Sequence, residues 1–267
     1  MTSPIDLDLT GQTALVCGAS AGIGEAAALT FAQLGASVIC LARSEEKLRG
    51  LVGKFAVGKG ANHRFIACDL NDHTKLKSLV EAEVRASGGA IEILINNSAG
   101  PKGGPITEAA GEDFARAFHQ HVVTNQLLAQ ILLPGMKERK HGRIVNVIST
   151  SVRVPIPGLG VSNVVRGATA SWAKTLALEV APFGITVNSV LPGYTKTERL
   201  STLVKAAADR QKKSESAVEE EWRAATPVRR FGEPHELAAA IAFLASPAAG
   251  FITGVALPVD GGRIGAI

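Results

Sequence analysis

The stretch TALVCGASAGIGEAAALTFAQLG, residues 13–35, joins a short apolar run to a helix-length run through a glycine-rich turn. Its three turn glycines let the backbone bend sharply and approach a diphosphate closely, although tight turning alone would also explain them. The helix that follows would offer free N–H groups and the positive end of its dipole. A strand before the turn and a helix after it favour nucleotide binding. The candidate phosphate-binding residues are Gly18, Ser20, Ala21, Gly22, Ile23 and Gly24.

Six further runs rich in Val, Ile and Leu follow along the chain, and they do not alternate polar with apolar residues. This pattern is typical of strands that are covered on both faces of a parallel sheet. We therefore expect an α/β fold: a doubly wound (Rossmann-type), mostly parallel seven-stranded sheet with helices on both faces, forming one domain over 1–267. The predicted strands are 13–18, 37–42, 64–68, 91–96, 142–149, 185–192 and 254–262, and helix candidates are 22–34, 72–87, 108–137 and 162–182.

The composition excludes several classes of protein. Hydrophobic residues make up 46% of the chain and charged residues 19%, which predicts a large core rather than disorder. The net charge is +4, but basic residues are scattered, so we expect no nucleic-acid partner. No apolar run approaches the roughly 20 residues of a membrane helix, and the first residues do not resemble a signal peptide, so we expect a cytoplasmic protein without membrane contact.

The three cysteines, Cys17, Cys40 and Cys68, each lie in or at the end of an apolar run. Their wide spacing argues against a metal knuckle, so we expect buried thiols and no metal site.

The end of the second predicted strand bears on the choice of cofactor. A protein that prefers NAD usually places an acid there to hold the ribose 2′-hydroxyl, whereas this chain has Ala42 and then Arg43. An arginine can pair with a 2′-phosphate, so we expect NADP(H) as the cofactor. The alternative is a solvated surface arginine beside Glu45 and Glu46.

Several motifs in the right order resemble the short-chain dehydrogenase/reductase family, especially its 3-oxoacyl-carrier-protein-reductase-like members. They are LTGQTALVCGASAGIG, ACDL, INNSAG, LPGYTKT and the segment from RRFGEP to VDGG, and together they span nearly the whole chain. The resemblance implies that Asp69 contacts adenine and that residues of LPGYTKT lie near the nicotinamide. It implies the further cofactor-binding residues Asp69, Leu70, Asn97, Ser98, Pro192, Gly193, Thr195 and Thr197.

The family's usual active site is an Asn, a Ser, a Tyr and a Lys, and the resemblance places different residues at three of these positions. Ser149 matches the Ser, whereas His121 stands for the Asn, Ser162 for the Tyr and Arg166 for the Lys. The chain's only tyrosine, Tyr194, follows Pro-Gly, where a Tyr is an ordinary family choice.

The substituted residues could still serve a reaction. Ser162 and Arg166 lie one helical turn apart, roughly 6 Å along the axis, and can reach the same cleft. His121 has an unperturbed pKa near neutral, so we expect it to donate the proton through water or Ser162. The alternatives are structural: a packed histidine bonded to a backbone carbonyl, a helix N-cap at 162 and an exposed arginine at 166.

Two classes of function follow from these residues. The first is an NADP(H)-dependent oxidoreductase that acts on a carbonyl or alcohol through an altered active site. The second is a nucleotide-binding protein without redox chemistry, such as a sensor, a partner subunit or a non-redox enzyme.

The resemblance also predicts a class of substrate and an oligomeric state. The charged segment 198–226 is expected to be a mobile lid over a small-molecule or carrier-linked carbonyl substrate. Lys102 and Arg153 would lie near the mouth of the cleft and hint at an acidic or carrier-linked substrate, but solvated surface charge is the simpler explanation of both. The helices at 108–137 and 162–182 are expected to build a homotetramer, or a dimer, using apolar outer positions such as Trp172 and Leu176, which core packing would also use.

Overall fold

The computed structural model describes residues 6–55 and 61–266 of the chain. Within them, seven strands form one sheet in the order β3-β2-β1-β4-β5-β6-β7, and every pairing between neighbours is parallel. This confirms the expected α/β class. The strands are β1 Thr13–Cys17, β2 Ser37–Ala42, β3 Arg64–Ala67, β4 Ile93–Asn96, β5 Gly142–Val147, β6 Ile185–Pro192 and β7 Ala256–Val259.

The strand order reverses between β1 and β4. The first three strands step outward in one direction, and the chain then crosses back to place β4 on the other side of β1, with Ala14 opposite Ile93. Loops that leave the carboxyl ends of β1 and β4 therefore diverge and open a crevice between them.

Helices cover both faces of the sheet, as expected. One apolar core contains the buried faces of α1 and α9, and the other contains those of α3, α5 and α6. No helix in the described ranges is both long and apolar enough to cross a membrane. The helices are α1 Gly22–Gln33, α2 Glu45–Val52, α3 His73–Ala86, α4 Gly111–Phe118, α5 Thr124–Glu138, α6 Gly160–Val180, α7 Glu198–Gln211, α8 Glu215–Ala224 and α9 Pro234–Ala245.

The three cysteines are free and buried, as the sequence predicted. Burial raises the pKa of the Cys17 and Cys40 thiols to about 12, so both behave as small apolar side chains.

The predicted helix 108–137 is not one regular α-helix. A short 3₁₀ segment covers Ile106–Glu108, and a π-helical turn at His119–Val123 separates α4 from α5. The extra residue of a π turn changes the direction of the side chains within it. In this turn His121 is buried, although the apolar periodicity of a continuous helix does not reveal that.

The expectation that Leu176 is an outer position is wrong. Leu176 packs into the core with Ala173 and Val180, and Trp172 is half-buried against the same cluster. The indole Nε1 of Trp172 donates to the side-chain oxygen of Gln126 on α5, at 2.8 Å.

A row of buried asparagines links the central strands. The Asn96 amide donates to the Asn146 side-chain oxygen at 2.9 Å, and the Asn146 amide donates to the Asn188 backbone carbonyl at 3.1 Å. The Asn188 amide then donates to Ile252 O at 2.8 Å. Because these amides are almost completely buried, each needs its partner to offset the loss of water.

Replacing Asn146 by the similarly sized Leu should destabilise the protein by about 1–3 kcal/mol, because it leaves the buried Asn96 amide without its partner. Urea unfolding measures the change. The matched control is Asn71→Leu at an exposed asparagine, which should stay within about 0.5 kcal/mol of wild type. Equal unfolding midpoints for both variants would contradict the role of the asparagine row.

Candidate active site

The turn between β1 and α1 requires its glycines. Gly18 and Gly22 have positive φ angles of 62° and 60°, a region that other residues rarely adopt. A Cβ on Gly24 would overlap the Gly18 carbonyl oxygen and come within 2.7 Å of the Asn97 side-chain nitrogen. Ala21 is the N-cap of α1 and provides no side-chain cap, so the first N–H groups of the helix face the crevice without a capping side chain. Ser20 and Ile23 complete this turn and are both half-buried.

Asn97 ties the end of β4 to this turn. Its side-chain nitrogen lies 3.3 Å from the Cys17 carbonyl and 3.4 Å from the Gly18 carbonyl. The residues that follow Asn97 are thereby fixed beside the glycine-rich turn.

Arg43 lies directly after β2 and is exposed. It makes no salt bridge to any described carboxylate; Glu45 instead pairs with Arg49 at 2.7 Å. Asp69 follows β3 and is exposed too, and its Oδ1 accepts from the backbone N–H and the side-chain amide of Asn71. The adjacent Leu70 carbonyl lies 3.1 Å from the Thr124 hydroxyl. The predicted adenine and 2′-phosphate residues therefore stand at neighbouring strand ends of the crevice.

The segment Pro192–Thr197 reaches the same crevice from β6. A Cβ on Gly193 would come within 2.7 Å of the Asp260 Cα, so this position needs a glycine. Thr195 is buried and donates to the Gly193 carbonyl. Thr197 caps α7 through its hydroxyl, and its methyl group lies 3.0 Å from the position a Cβ would take on Gly22.

Ser149 and Ser162 stand on either side of the loop between β5 and α6. Ser149 is half-buried, and its Oγ accepts from the Ser151 N–H at 3.1 Å. Ser162 is buried in the first turn of α6 and makes no side-chain hydrogen bond within the described ranges. The N-cap interpretation of Ser162 is wrong, because α6 begins at Gly160 and its N-cap is Leu159.

Arg166 is buried one turn after Ser162, so the exposed-arginine alternative is also wrong. Its Nη1 donates to the Val147 carbonyl at 2.9 Å. Burial, and then the positive charge of Arg199, lower the Arg166 pKa to about 10, which leaves the guanidinium charged at neutral pH.

His121 is only 3% exposed, and its Nδ1 lies 2.7 Å from the Ser98 hydroxyl. Burial first, and then the charge of Arg166, lower its pKa to about 2, while a backbone interaction with Ala99 acts in the opposite direction. The imidazole is therefore neutral between about pH 5 and pH 8. The geometry argues against the expected role of His121 as an acid that titrates in this range.

Arg199 is a site residue that the sequence reasoning missed. It lies in the first turn of α7, and its Nη2 donates to the Pro101 carbonyl at 2.7 Å. The same nitrogen lies 3.2 Å from the position a Cβ would take on Gly100, so the guanidinium packs over this glycine. A cation in the first turn of a helix is unfavourable because it opposes the helix dipole. An arginine at this position was the feature of the sequence that could have identified Arg199 as a site residue.

The chain's only tyrosine packs against α8 and Arg263. Tyr194 stacks on Trp222 with ring centroids 4.5 Å apart, and its hydroxyl accepts from Arg263 at 3.1 Å. Burial raises the Tyr194 pKa, which makes it a weaker acid. Lys102 and Arg153 are both exposed, and the described residues contain no cluster of three or more metal-ligating side chains.

Comparisons with known proteins agree with the geometry. Residues 18–263 match the family model described as enoyl-(acyl carrier protein) reductase. The chain is 32% identical to the 3-oxoacyl-[acyl-carrier-protein] reductase FabG of Vibrio cholerae over 96% of this chain and 98% of that protein. It is 35% identical to the oxidoreductase UcpA of Salmonella typhimurium over 95% of both chains.

A solved structure, L-sorbose reductase of Gluconobacter frateurii complexed with NADPH and L-sorbose, superposes with a TM-score of 0.91. It is 30% identical to this chain, and the match covers 98% of this chain and all of that one.

The His121 environment predicts a pH-dependent stability. An unfolded imidazole takes up a proton below about pH 6.5, whereas the folded one stays neutral, so acid favours unfolding. When the pH is lowered from about 7.5 to 5.5, this residue should reduce the free energy of unfolding of the wild type by about 1.4 kcal/mol. His121→Asn should abolish that part of the loss.

Urea unfolding at both pH values measures the difference, with the exposed His235→Asn as the matched control. If His121→Asn loses as much stability on acidification as wild type does, the imidazole is not held neutral.

Proposed function

The chain belongs to the short-chain dehydrogenase/reductase family, and we propose that it is an NADP(H)-dependent oxidoreductase acting on a carbonyl or alcohol of a small molecule. The observation that carries the proposal is the glycine turn with the uncapped start of α1. It is accompanied by Ser149 after β5 and by Ser162 and the buried Arg166 on α6, whose Nη1 donates to the Val147 carbonyl at the end of β5. The relatives above are named as reductases or oxidoreductases, which supports redox chemistry over the nucleotide-binding alternative.

The described residues fit a dinucleotide phosphate. The turn from Gly18 to Gly24 would hold the diphosphate on backbone N–H groups, and Asp69 and Leu70 would flank the adenine. Arg43, which has no acidic partner among the described residues, would pair with the 2′-phosphate. When bound, NADPH supplies the hydride that reduces a carbonyl carbon while the oxygen takes up one proton, giving an alcohol and NADP⁺.

The side chains of the cleft favour negative charge on that oxygen. Ser149 and Ser162 would donate hydrogen bonds to the carbonyl oxygen, and the fixed charge of Arg166 would stabilise the developing oxyanion and help to hold the nicotinamide ribose. Neither serine is an effective acid, and His121 is neutral and hydrogen-bonded to Ser98. The proton would then come from water that reaches the oxyanion, with His121 and Ser98 fixing the polar wall beside it.

Segment 198–226 would act as the substrate lid. It contains α7 and α8, and Thr197, the residue immediately before this segment, lies near Gly22 of the glycine turn. Closing such a segment would exclude bulk water and complete the cleft.

A homotetramer, or a dimer, is proposed for the assembly. The apolar side chains that support it on α4 to α6 are Val164, which is 48% exposed, and Leu178, which is 69% exposed. They replace Leu176 as the candidate contact positions.

NADPH should bind at least about tenfold more tightly than NADH, because a charge-assisted contact from Arg43 contributes about 1.5–3 kcal/mol. Calorimetric titration of both cofactors measures this preference. Arg43→Gln should remove it, whereas Arg49→Gln, at an exposed arginine of the neighbouring helix, should retain it. A preference that survives in Arg43→Gln would assign 2′-phosphate recognition to another residue.

Oxidation of NADPH across a panel of ketones and aldehydes tests the reaction itself. Arg166→Gln should reduce kcat/KM by about 10²-fold or more, because one oxyanion-stabilising group is lost, and should weaken cofactor binding. Ser162→Ala should reduce kcat and leave cofactor affinity close to wild type, and Lys174→Gln, at an exposed residue of the same helix, is the control. No NADPH oxidation with any carbonyl, or full activity in Arg166→Gln, would contradict the proposal.

A further inference from the structure

Two arginines of the cleft have no acidic partner. Arg166 donates to the Val147 carbonyl and Arg199 to the Pro101 carbonyl, and each makes only that one hydrogen bond within the described ranges. No described carboxylate lies within salt-bridge distance of either guanidinium.

Other partly buried arginines of the chain are satisfied differently. Arg64 pairs with Glu83 at 2.6 Å, and the half-exposed Arg139 pairs with Glu92 at 2.7 Å. Arg143 is buried without an acid, but it donates to the carbonyls of Gly142, Gly184 and Ser246. Compared with these three arginines, Arg199 is poorly paired, because it has one carbonyl as its hydrogen-bond partner and no acid.

The two guanidinium groups interact electrostatically. The charge of Arg199 depresses the pKa of the Arg166 guanidinium, and burial lowers the pKa of Arg199 itself. Two neighbouring cations with unused N–H groups form a favourable site for an anion that presents two oxygens in a plane.

Arg199 lies at a different place from the turn that would bind the cofactor diphosphate. The diphosphate site is the turn from Gly18 to Gly24, and Thr197 covers it. Arg199 lies beyond Thr197, over Gly100 in the loop after β4, two residues from the Ser98 that contacts His121. Its side chain thus lies against the loop that carries Ser98, the hydrogen-bond partner of His121.

We propose that the substrate carries a carboxylate within about two carbons of its reacting carbonyl or alcohol, and that Arg199 binds this carboxylate while Arg166 faces the reacting oxygen. The inference rests on the proposed oxidoreductase function, because it names the substrate class of the same cleft. Carboxylate binding would also neutralise the repulsion between the two arginines, so it would favour the seated position of α7 over the cleft.

Matched acids and esters test the proposal. The substrates are 2-oxobutanoate, 3-oxobutanoate and 4-oxopentanoate, each paired with its methyl ester, and the readout is kcat/KM for NADPH oxidation. At least one acid should exceed its ester by about tenfold or more, because only the acid can form a charge-assisted pair. Arg199→Gln should abolish this acid-to-ester ratio, Arg199→Lys should restore part of it, and Lys205→Gln, which removes an equal charge from an exposed position of α7, should leave it unchanged.

A purely structural role for Arg199, as a tie between α7 and Pro101, would lower the activity with acids and esters equally. That result would overturn the proposal, as would esters that match their acids in wild type. A tenfold loss of NADPH affinity in Arg199→Gln with an unchanged acid-to-ester ratio would assign Arg199 to the cofactor phosphates and would likewise overturn it.

Binding without turnover separates this proposal from the redox function. Butanoate and butyramide are titrated into the protein saturated with NADP⁺, and only butanoate should bind measurably in wild type and in Lys205→Gln. If no carbonyl is reduced but butanoate binding is lost in Arg199→Gln, the anion site stands and the redox function fails. If ketones are reduced but butanoate binds no better than butyramide, the redox function stands and the anion site fails.

Discussion

The close contact of Gly24 with the Gly18 carbonyl and the Asn97 side chain is the constraint on which the site depends. No side chain fits at position 24, so the first turn of α1 lies against the end of β1, and the Asn97 amide brings the end of β4 to the same point. Asn97, which lies 80 residues after Cys17 in the sequence, is therefore held at the junction of β1 and α1. The open N–H groups of α1 and the loop that carries Ser98 are positioned by this single junction.

The electrostatics of the cleft follow from which groups are buried there. Arg166 stays charged despite burial, whereas burial and that same charge keep His121 neutral. A fixed cation beside a neutral imidazole and two hydroxyls stabilises an oxyanion better than it delivers a proton. A charged Arg166 beside a neutral His121 is consistent with a reaction in which the protein polarises a carbonyl and water supplies the proton.

Much of the fold could be predicted from the sequence, because strands covered on both faces leave uninterrupted apolar runs and the glycine turn has few alternative conformations. Arg43 at the end of β2 could be found for the same reason, since strand ends are fixed by the sheet. The burial of His121 and Arg199 could not be predicted. A π turn changes the direction of side chains without changing the apolar content of the sequence. The guanidinium of Arg199 is held by the carbonyl of Pro101, 98 residues earlier, and no local pattern reveals so distant a partner.

Helix α7 connects the two halves of the cleft. Its cap, Thr197, lies against Gly22 in the glycine turn, and Arg199, two residues later, lies against Gly100 in the loop after β4. Two residues span less than one helical turn, so α7 cannot leave one contact without disturbing the other. If the phosphate turn and the Arg199 position bind as proposed, occupation of each would stabilise the same placement of α7, and cofactor and substrate binding would then favour each other through one short segment.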